Sequence, residues 1–240
     1  MNASRPERAA AVALRRFETR EALAEALARR VAGALADRLE TAPRAALAVS
    51  GGATPVRFFE ALSEQKIDWG AVDITLVDER WVGELSERSN ARLVINRLMR
   101  GAAAEARFIP LTSPSPTPEG GIEEVAARLD TLARPLAVVV LGMGEDGHTA
   151  SFFPDGDGLA EALNPSTARK VAIVRAPAAV EPRVTLTFPV LRNAGLVLLH
   201  IEGEAKLRAL RAAEQRGPVE DMPIRAFLRS GRPLETFWRI

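Results

Sequence analysis

Short apolar runs rich in Val, Leu and Ile alternate along this chain with glycine-containing turns and with segments whose apolar residues recur at helical spacing. That alternation is the strongest constraint on the fold. Strands that are apolar throughout must be covered on both faces, and helices connecting parallel strands provide the cover. Ala45 to Val49, Val72 to Val77, Arg107 to Leu111 and Ala137 to Leu141 read as strands, with helices predicted over Val56 to Ser63, Asn90 to Leu98 and Glu119 to Leu132. Ahead of them, Glu18 to Leu39 sets Leu23, Leu27, Val31 and Leu35 on one face of a long amphipathic helix that Pro43 ends. The predicted class is α/β: a Rossmann-like, doubly wound, mainly parallel sheet with helices on both faces.

The last third is less regular. Val171 to Val174, Val184 to Phe188 and Leu196 to Ile201 are predicted strands, with a short helix from Pro189 to Arg192. Helices are predicted over Glu204 to Gln215 and Pro223 to Arg229, and an edge strand over Leu234 to Trp238. There is no internal repeat, and Ser113 to Pro118 is too short for an interdomain linker. The 240 residues are therefore expected to form one domain, residues 1–240.

Composition removes several functional classes. Lys and Arg total 32 against 31 for Asp and Glu, and no basic run marks a nucleic-acid partner. Without cysteine there is no disulfide, thiolate nucleophile or sulfur-ligated metal. Met1 to Arg16 has no signal-peptide core, and no apolar run approaches the roughly 18 residues of a membrane span, so a cytoplasmic protein is expected.

Four segments carry the candidate chemistry, each at the expected carboxyl end of a strand or the start of the next helix, where open parallel sheets bind ligands. Ser50-Gly51-Gly52-Ala53-Thr54-Pro55 offers approachable backbone N–H groups and a helix start, which suit a phosphate, but lacks the Gly-Lys-Ser/Thr ending of a nucleotide loop. Val77-Asp78-Glu79-Arg80-Trp81 sets three charges after an apolar strand; Arg80 could clamp an anion, while Glu79 reads equally well as half of a structural ion pair. Leu141-Gly142-Met143-Gly144-Glu145-Asp146-Gly147-His148 puts one of two histidines beside an acid in a glycine turn, making His148 a candidate general base. Gly203-Glu204-Ala205-Lys206 places a lysine in the first turn of a helix, against the dipole preference, which hints at an anionic ligand. His200 lies within an apolar strand and is expected to serve packing.

Gly142, Gly144 and Gly147 also spell G-x-G-x-x-G. A dinucleotide fingerprint needs a helix starting within the glycines and an acid about 20 residues on. Here Pro154 to Gly158 follow, and the next predicted strand ends in Arg175 and Ala176, so no nicotinamide site is expected.

The SGGATP turn, DERW with Ser89-Asn90 after it, GMGEDGHTASFFP, Arg183-Val184-Thr185-Leu186-Thr187 and GEAK together resemble the lactonases of the glucosamine-6-phosphate isomerase/6-phosphogluconolactonase family, in order and over nearly the whole chain. The resemblance implies hydrolysis of 6-phospho-D-glucono-1,5-lactone to 6-phosphogluconate in the pentose phosphate pathway, with no cofactor and no metal. A sugar-phosphate substrate is the expected partner, without nucleic acid or membrane, and a monomer is expected, with a weak dimer as the alternative. Carried over by position, His148 takes a proton from the attacking water and Asp146 orients it. Gly51, Gly52, Thr54 and Lys206, with Arg80, hold the phosphate; Asp78 binds sugar hydroxyls; Arg183 is a further anion contact.

Small departures are Ala53, where many relatives carry Ser or Thr, Phe152 for Leu, and Asp155 for Gly or Asn. The competing deaminase reading needs a carboxylate five residues after the histidine, where this chain has Phe153, and Asp-Glu-Tyr where it has Asp78-Glu79-Arg80. A sugar-phosphate sensor would need a DNA-binding helix pair, for which Met1 to Arg16 is too short.

Overall fold

A computed structural model describes residues 12–83, 85–177 and 179–240. Most of the Met1 to Arg16 segment, read above as lacking a leader or a DNA-binding helix pair, lies outside the described residues. In chain order the elements are β1 (Ala13–Phe17), α1 (Arg20–Leu39), β2 (Ala45–Val49), α2 (Val56–Ser63), β3 (Val72–Leu76), β4 (Asp78–Arg80), α3 (Asn90–Arg97), β5 (Arg107–Ile109) and α4 (Pro118–Arg128). They continue with β6 (Val138–Leu141), α5 (Leu159–Leu163), β7 (Val171–Val174), β8 (Arg183–Leu186), α6 (Phe188–Arg192), β9 (Leu196–Glu202), α7 (Glu204–Glu214), α8 (Arg225–Leu228) and β10 (Glu235–Arg239).

Seven strands form one parallel sheet in the order β1-β10-β9-β6-β2-β3-β5. Every residue of β2, β3 and β6 is buried, as strands covered on both faces must be. The long helix α1 begins at Thr19, whose hydroxyl accepts the Ala22 N–H, and buries Leu23, Leu27, Val31 and Leu35 as its spacing requires. It packs against α2 and touches β2, β6 and β10. From β2 the chain runs outward through β3 to β5, then returns to the other side of β2 as β6. The order therefore reverses between β2 and β6, and the crevice beyond their carboxyl ends is where a ligand fits in such a sheet.

Four expectations need correction. The strand at Leu234 to Trp238 is not an edge: β10 lies between β9 and β1, and β1 holds the edge. β1 escapes the pattern because its residues are exposed or half-buried, with Arg15 and Arg16 inside it. Val171 to Val174 and Val184 to Leu186 leave the parallel sheet and form a separate antiparallel one, ordered β4-β8-β7. Asp78-Glu79-Arg80 is thus a strand of that sheet, and Phe188 starts α6 instead of ending β8. Finally, α4 ends at Arg128 and gives way to a 3-10 turn over Leu129–Thr131.

Near the start of β3, Asp73 has no exposed surface, and its carboxylate accepts hydrogen bonds from Arg44, Arg107 and the Ala133 N–H. Burial pushes its carboxyl up, but the Arg107 and Arg44 hydrogen bonds and that N–H outweigh it and hold it below the usual carboxylate range. Asp73→Asn is expected to cost about 2–3 kcal/mol at neutral pH, less than a fully buried broken pair because both guanidinium groups are partly exposed. A group whose folded pKa is depressed stabilises fully above its unfolded pKa and loses that contribution as pH falls through the folded value. Urea unfolding should therefore show the gap between wild type and variant closing below about pH 4. A gap that is constant with pH would show that Asp73 acts through packing alone.

Candidate active site

Two turns at the switch point build the cleft. After β2, the Ser50 N–H donates to the Val140 carbonyl at 3.0 Å, and the Ser50 hydroxyl accepts the Gly142 N–H at 2.8 Å, tying the turns after β2 and β6 together. Gly51 is required by close approach: a Cβ there would lie 1.9 Å from Asn90 Oδ1. Gly52 has φ +93°, a conformation that glycine adopts without penalty. The helix that follows, α2, has no side-chain cap on its first N–H groups, and neither has α7. By contrast, α3 is capped by the Ser89 hydroxyl. Of the helices that start at this cleft, α2 and α7 thus leave their positive ends open to an anion.

The turn after β6 is built around a histidine and an aspartate. Thr149 Oγ1 donates to the Gly142 carbonyl at 2.7 Å, the Gly144 N–H to the His148 carbonyl at 2.9 Å, and the Ile224 N–H to the Gly147 carbonyl at 2.9 Å. Asp146 Oδ1 accepts the His148 backbone N–H at 3.0 Å and faces His148 Nδ1 at 2.6 Å. The side-chain bond to His148 is the largest influence on Asp146 and holds its carboxyl low, against burial. An ionised carboxylate only accepts, so in the neutral imidazole Nδ1 carries the proton and Nε2 the lone pair. On the other side, the Phe153 ring lies 4.6 Å from the imidazole between centroids.

The small antiparallel sheet supplies the third wall. Glu79 is 1% exposed and forms no ion pair among the described residues. Its two oxygens accept the backbone N–H groups of Arg80, Asn90 and Ala91 and the Ser89 hydroxyl, so it anchors the start of α3. Burial pushes its carboxyl up, and those four donors oppose the shift. Asp78 Oδ2 accepts the Ser151 hydroxyl at 2.5 Å and lies 3.8 Å from Arg183 Nη1. Arg80 donates to the Arg88 carbonyl and to Asn90 Oδ1, while the Arg183 guanidinium lies over the Phe153 ring at 5.5 Å. The Nε groups of both arginines are buried without a hydrogen-bond partner among the described residues. Burial lowers the Arg183 pKa, yet a guanidinium remains cationic at neutral pH.

Gly51, Gly52, Thr54, Asp78, Arg80, His148, Arg183 and Lys206 all line one cleft of about 380 Å³, with Asp146 behind His148. Sequence reasoning assigned no individual role to Ser50, Asn90 or Ser151, whose side chains hold the walls in place. It also gave His200 to packing, whereas His200 is buried yet lines the cleft. The only signal for Asn90 was its place after Ser89 at a helix start, and His200 had none, since a strand residue's facing depends on its neighbours. Asp155, which replaces the commoner Gly or Asn, has φ +55°, and this left-handed conformation accounts for that preference. Phe152 is fully buried and stacks with Phe227 at 6.4 Å. Among the described residues, no group of three or more His, Asp or Glu side chains is placed to hold a metal ion, and no helix is long and apolar enough to cross a membrane.

Residues 18–238 match the model of the family described as glucosamine-6-phosphate isomerases/6-phosphogluconolactonase. The chain belongs to this family. It is 50% identical over 223 residues to a 6-phosphogluconolactonase of Rhizobium meliloti, an alignment covering 92% of this chain and 96% of the relative. It is 46% identical to one from Pseudomonas aeruginosa, covering 90% of each chain. The crystal structure of a 6-phosphogluconolactonase from Shewanella baltica superposes with a TM-score of 0.92 at 39% identity, covering 96% of this chain and 98% of that one. A monomeric glucosamine-6-phosphate deaminase shares the family fold, with a TM-score of 0.76 at 16% identity.

Proposed function

We propose that this protein hydrolyses 6-phospho-D-glucono-1,5-lactone to 6-phosphogluconate, with His148 as general base. The observation that carries the reading is the 2.6 Å pairing of His148 Nδ1 with Asp146, in a cleft whose other walls present Lys206, Arg80, Arg183 and an uncapped helix start. Asp146 fixes the tautomer, so Nε2 takes a proton from water as the water oxygen attacks the lactone carbonyl. The tetrahedral oxyanion then collapses, the bond from the carbonyl carbon to the ring oxygen breaks, and the imidazolium returns the proton to the departing alkoxide. The new carboxylic acid releases its proton to solvent. A lactone is already electrophilic, so positioning and one base suffice to lower the barrier by several kcal/mol.

In this reading the phosphoryl group is held by the N–H groups of Gly51 and Gly52, by Thr54 and by Lys206, with Arg80 beside them. Asp78 takes sugar hydroxyls, and Arg183 is a second anion contact. The enzyme is taken as monomeric and cytoplasmic, with the sugar phosphate as its only partner. Phe153 favours lactone hydrolysis over deamination, because an apolar ring packs on His148 at the position where a deaminase needs a carboxylate.

The test is the rate of 6-phosphogluconolactone hydrolysis, generated in situ and corrected for spontaneous decay. Acceleration is expected with no ammonia release from glucosamine 6-phosphate; the reverse pattern would replace this reading with the deaminase. Within the same assay, Lys206→Ala should raise KM by about 10- to 100-fold, as loss of a charge-assisted contact does, and change kcat little. A fall in kcat at constant KM would move Lys206 from binding to the chemical step.

A further inference from the structure

His200 is the titratable group in the cleft that this mechanism does not use. It sits on β9 between Leu199 and Ile201, 4% exposed, and its ring lines the cleft. Neither ring nitrogen has a hydrogen-bond partner among the described residues. A neutral imidazole carries one donor and one acceptor, and leaving both unmatched under cover is costly, so the position calls for a reason. Along its own strand, Glu202 Oε1 lies 3.6 Å from Nε2; Glu202 is itself bound by Arg20 of α1 at 2.7 Å and approached by Arg239 of β10 at 3.8 Å. From α2 the ring meets Phe58 edge-on, with centroids 6.3 Å apart. From α7, Lys206 lines the same cleft, and its charge acts against protonation of the ring.

We propose that His200 is a specificity residue for the phosphoryl group: uncharged in the free cleft, it takes up a proton when a phosphoryl dianion is seated at Lys206, and so favours phosphorylated over unphosphorylated lactones. This rests on the reading that the phosphoryl group binds at Lys206 and the turn after β2. In the free protein, burial opposes the imidazolium and Lys206 adds to that opposition, while Glu202 alone favours it; the balance holds the His200 pKa below its ordinary value. A bound dianion offsets the Lys206 charge and adds negative charge to the cleft that His200 lines, while Glu202 Oε1 already lies 3.6 Å from Nε2. The proton, taken from solvent, then sits on a ring with two anionic groups in its surroundings, where an imidazolium is favoured.

The chain has two histidines, so nitrogen-15 NMR of the full-length protein resolves both, with His148→Ala and His200→Gln assigning the signals. At about pH 7.5, where a phosphate monoester is mostly dianionic, His200 should be neutral alone and with saturating gluconate, and imidazolium with saturating 6-phosphogluconate. His200→Gln should raise the Kd of 6-phosphogluconate about tenfold or more and leave that of gluconate unchanged. His200 signals that stay neutral with 6-phosphogluconate bound would overturn the proposal even if His200→Gln fails to fold, because that measurement uses the wild type. If Lys206→Ala binds 6-phosphogluconate as tightly as the wild type does, the phosphoryl seat itself is wrong, and the underlying reading falls with the inference.

Discussion

His148→Ala is expected to lower kcat for lactone hydrolysis by about 10²- to 10⁴-fold, the usual contribution of a positioned general base, with little change in KM. The division follows from geometry. The groups proposed to hold the phosphate lie mainly on the turn after β2 and on α7, whereas His148 belongs to the turn after β6, so removing the imidazole leaves those walls intact. Stability should change little, because the imidazole is about a third exposed and its only hydrogen bond within the described residues is to Asp146. External imidazole should restore part of the rate, since the vacated space opens onto the cleft in which the proposed base acts. Loss of rate accompanied by an equal rise in KM, without rescue, would assign His148 to substrate binding.

Gly144→Ala tests the same pair without removing either member. A Cβ at Gly144 would lie 2.2 Å from His148 Nδ1 and 2.5 Å from Asp146 Oδ1, so both side chains must move apart from their 2.6 Å contact. The backbone itself permits alanine, because Gly144 is not among the glycines with positive φ. The groups displaced are side-chain ends on a partly exposed turn, so the expected result is a fall in kcat of about 10²-fold, the penalty of roughly 1 Å of misplacement, with little loss of thermal stability. Gly142→Ala is the control, since a Cβ there meets only Ser50 at 3.6 Å, ordinary contact. Equal activity of Gly144→Ala and wild type would mean that the Asp146–His148 geometry does not govern the rate.

These two predictions also mark where sequence reasoning reached and where it stopped. The meeting of His148 with Asp146 among the glycines around them was legible because such a turn is local: spacing of a few residues sets which atoms meet. The same holds for Ser50 to Pro55 and for Lys206 after Gly203, each at the join of a strand and a helix. Glu79 was harder. An acid after an apolar strand signals burial, but only the packing of β4 against the start of α3 shows that it accepts four hydrogen bonds instead of pairing with a cation.

By itself, the sequence determined the elements and their class. Continuous apolar runs at β2 and β6 demand cover on both faces, and the 3.6-residue period of α1 supplies one side of it. Only the tertiary structure decided which strands are neighbours. β1 reaches the edge beside β10 although their residues are separated by nearly the whole chain, and β7 and β8 pair with β4 outside the main sheet. The physical reason is that periodicity reports how much of a strand is buried, while the identity of its neighbour depends on backbone hydrogen bonds and side-chain packing between distant segments. That is also why His200, on an apolar strand like any other core residue, was placed against the cleft only by the fold.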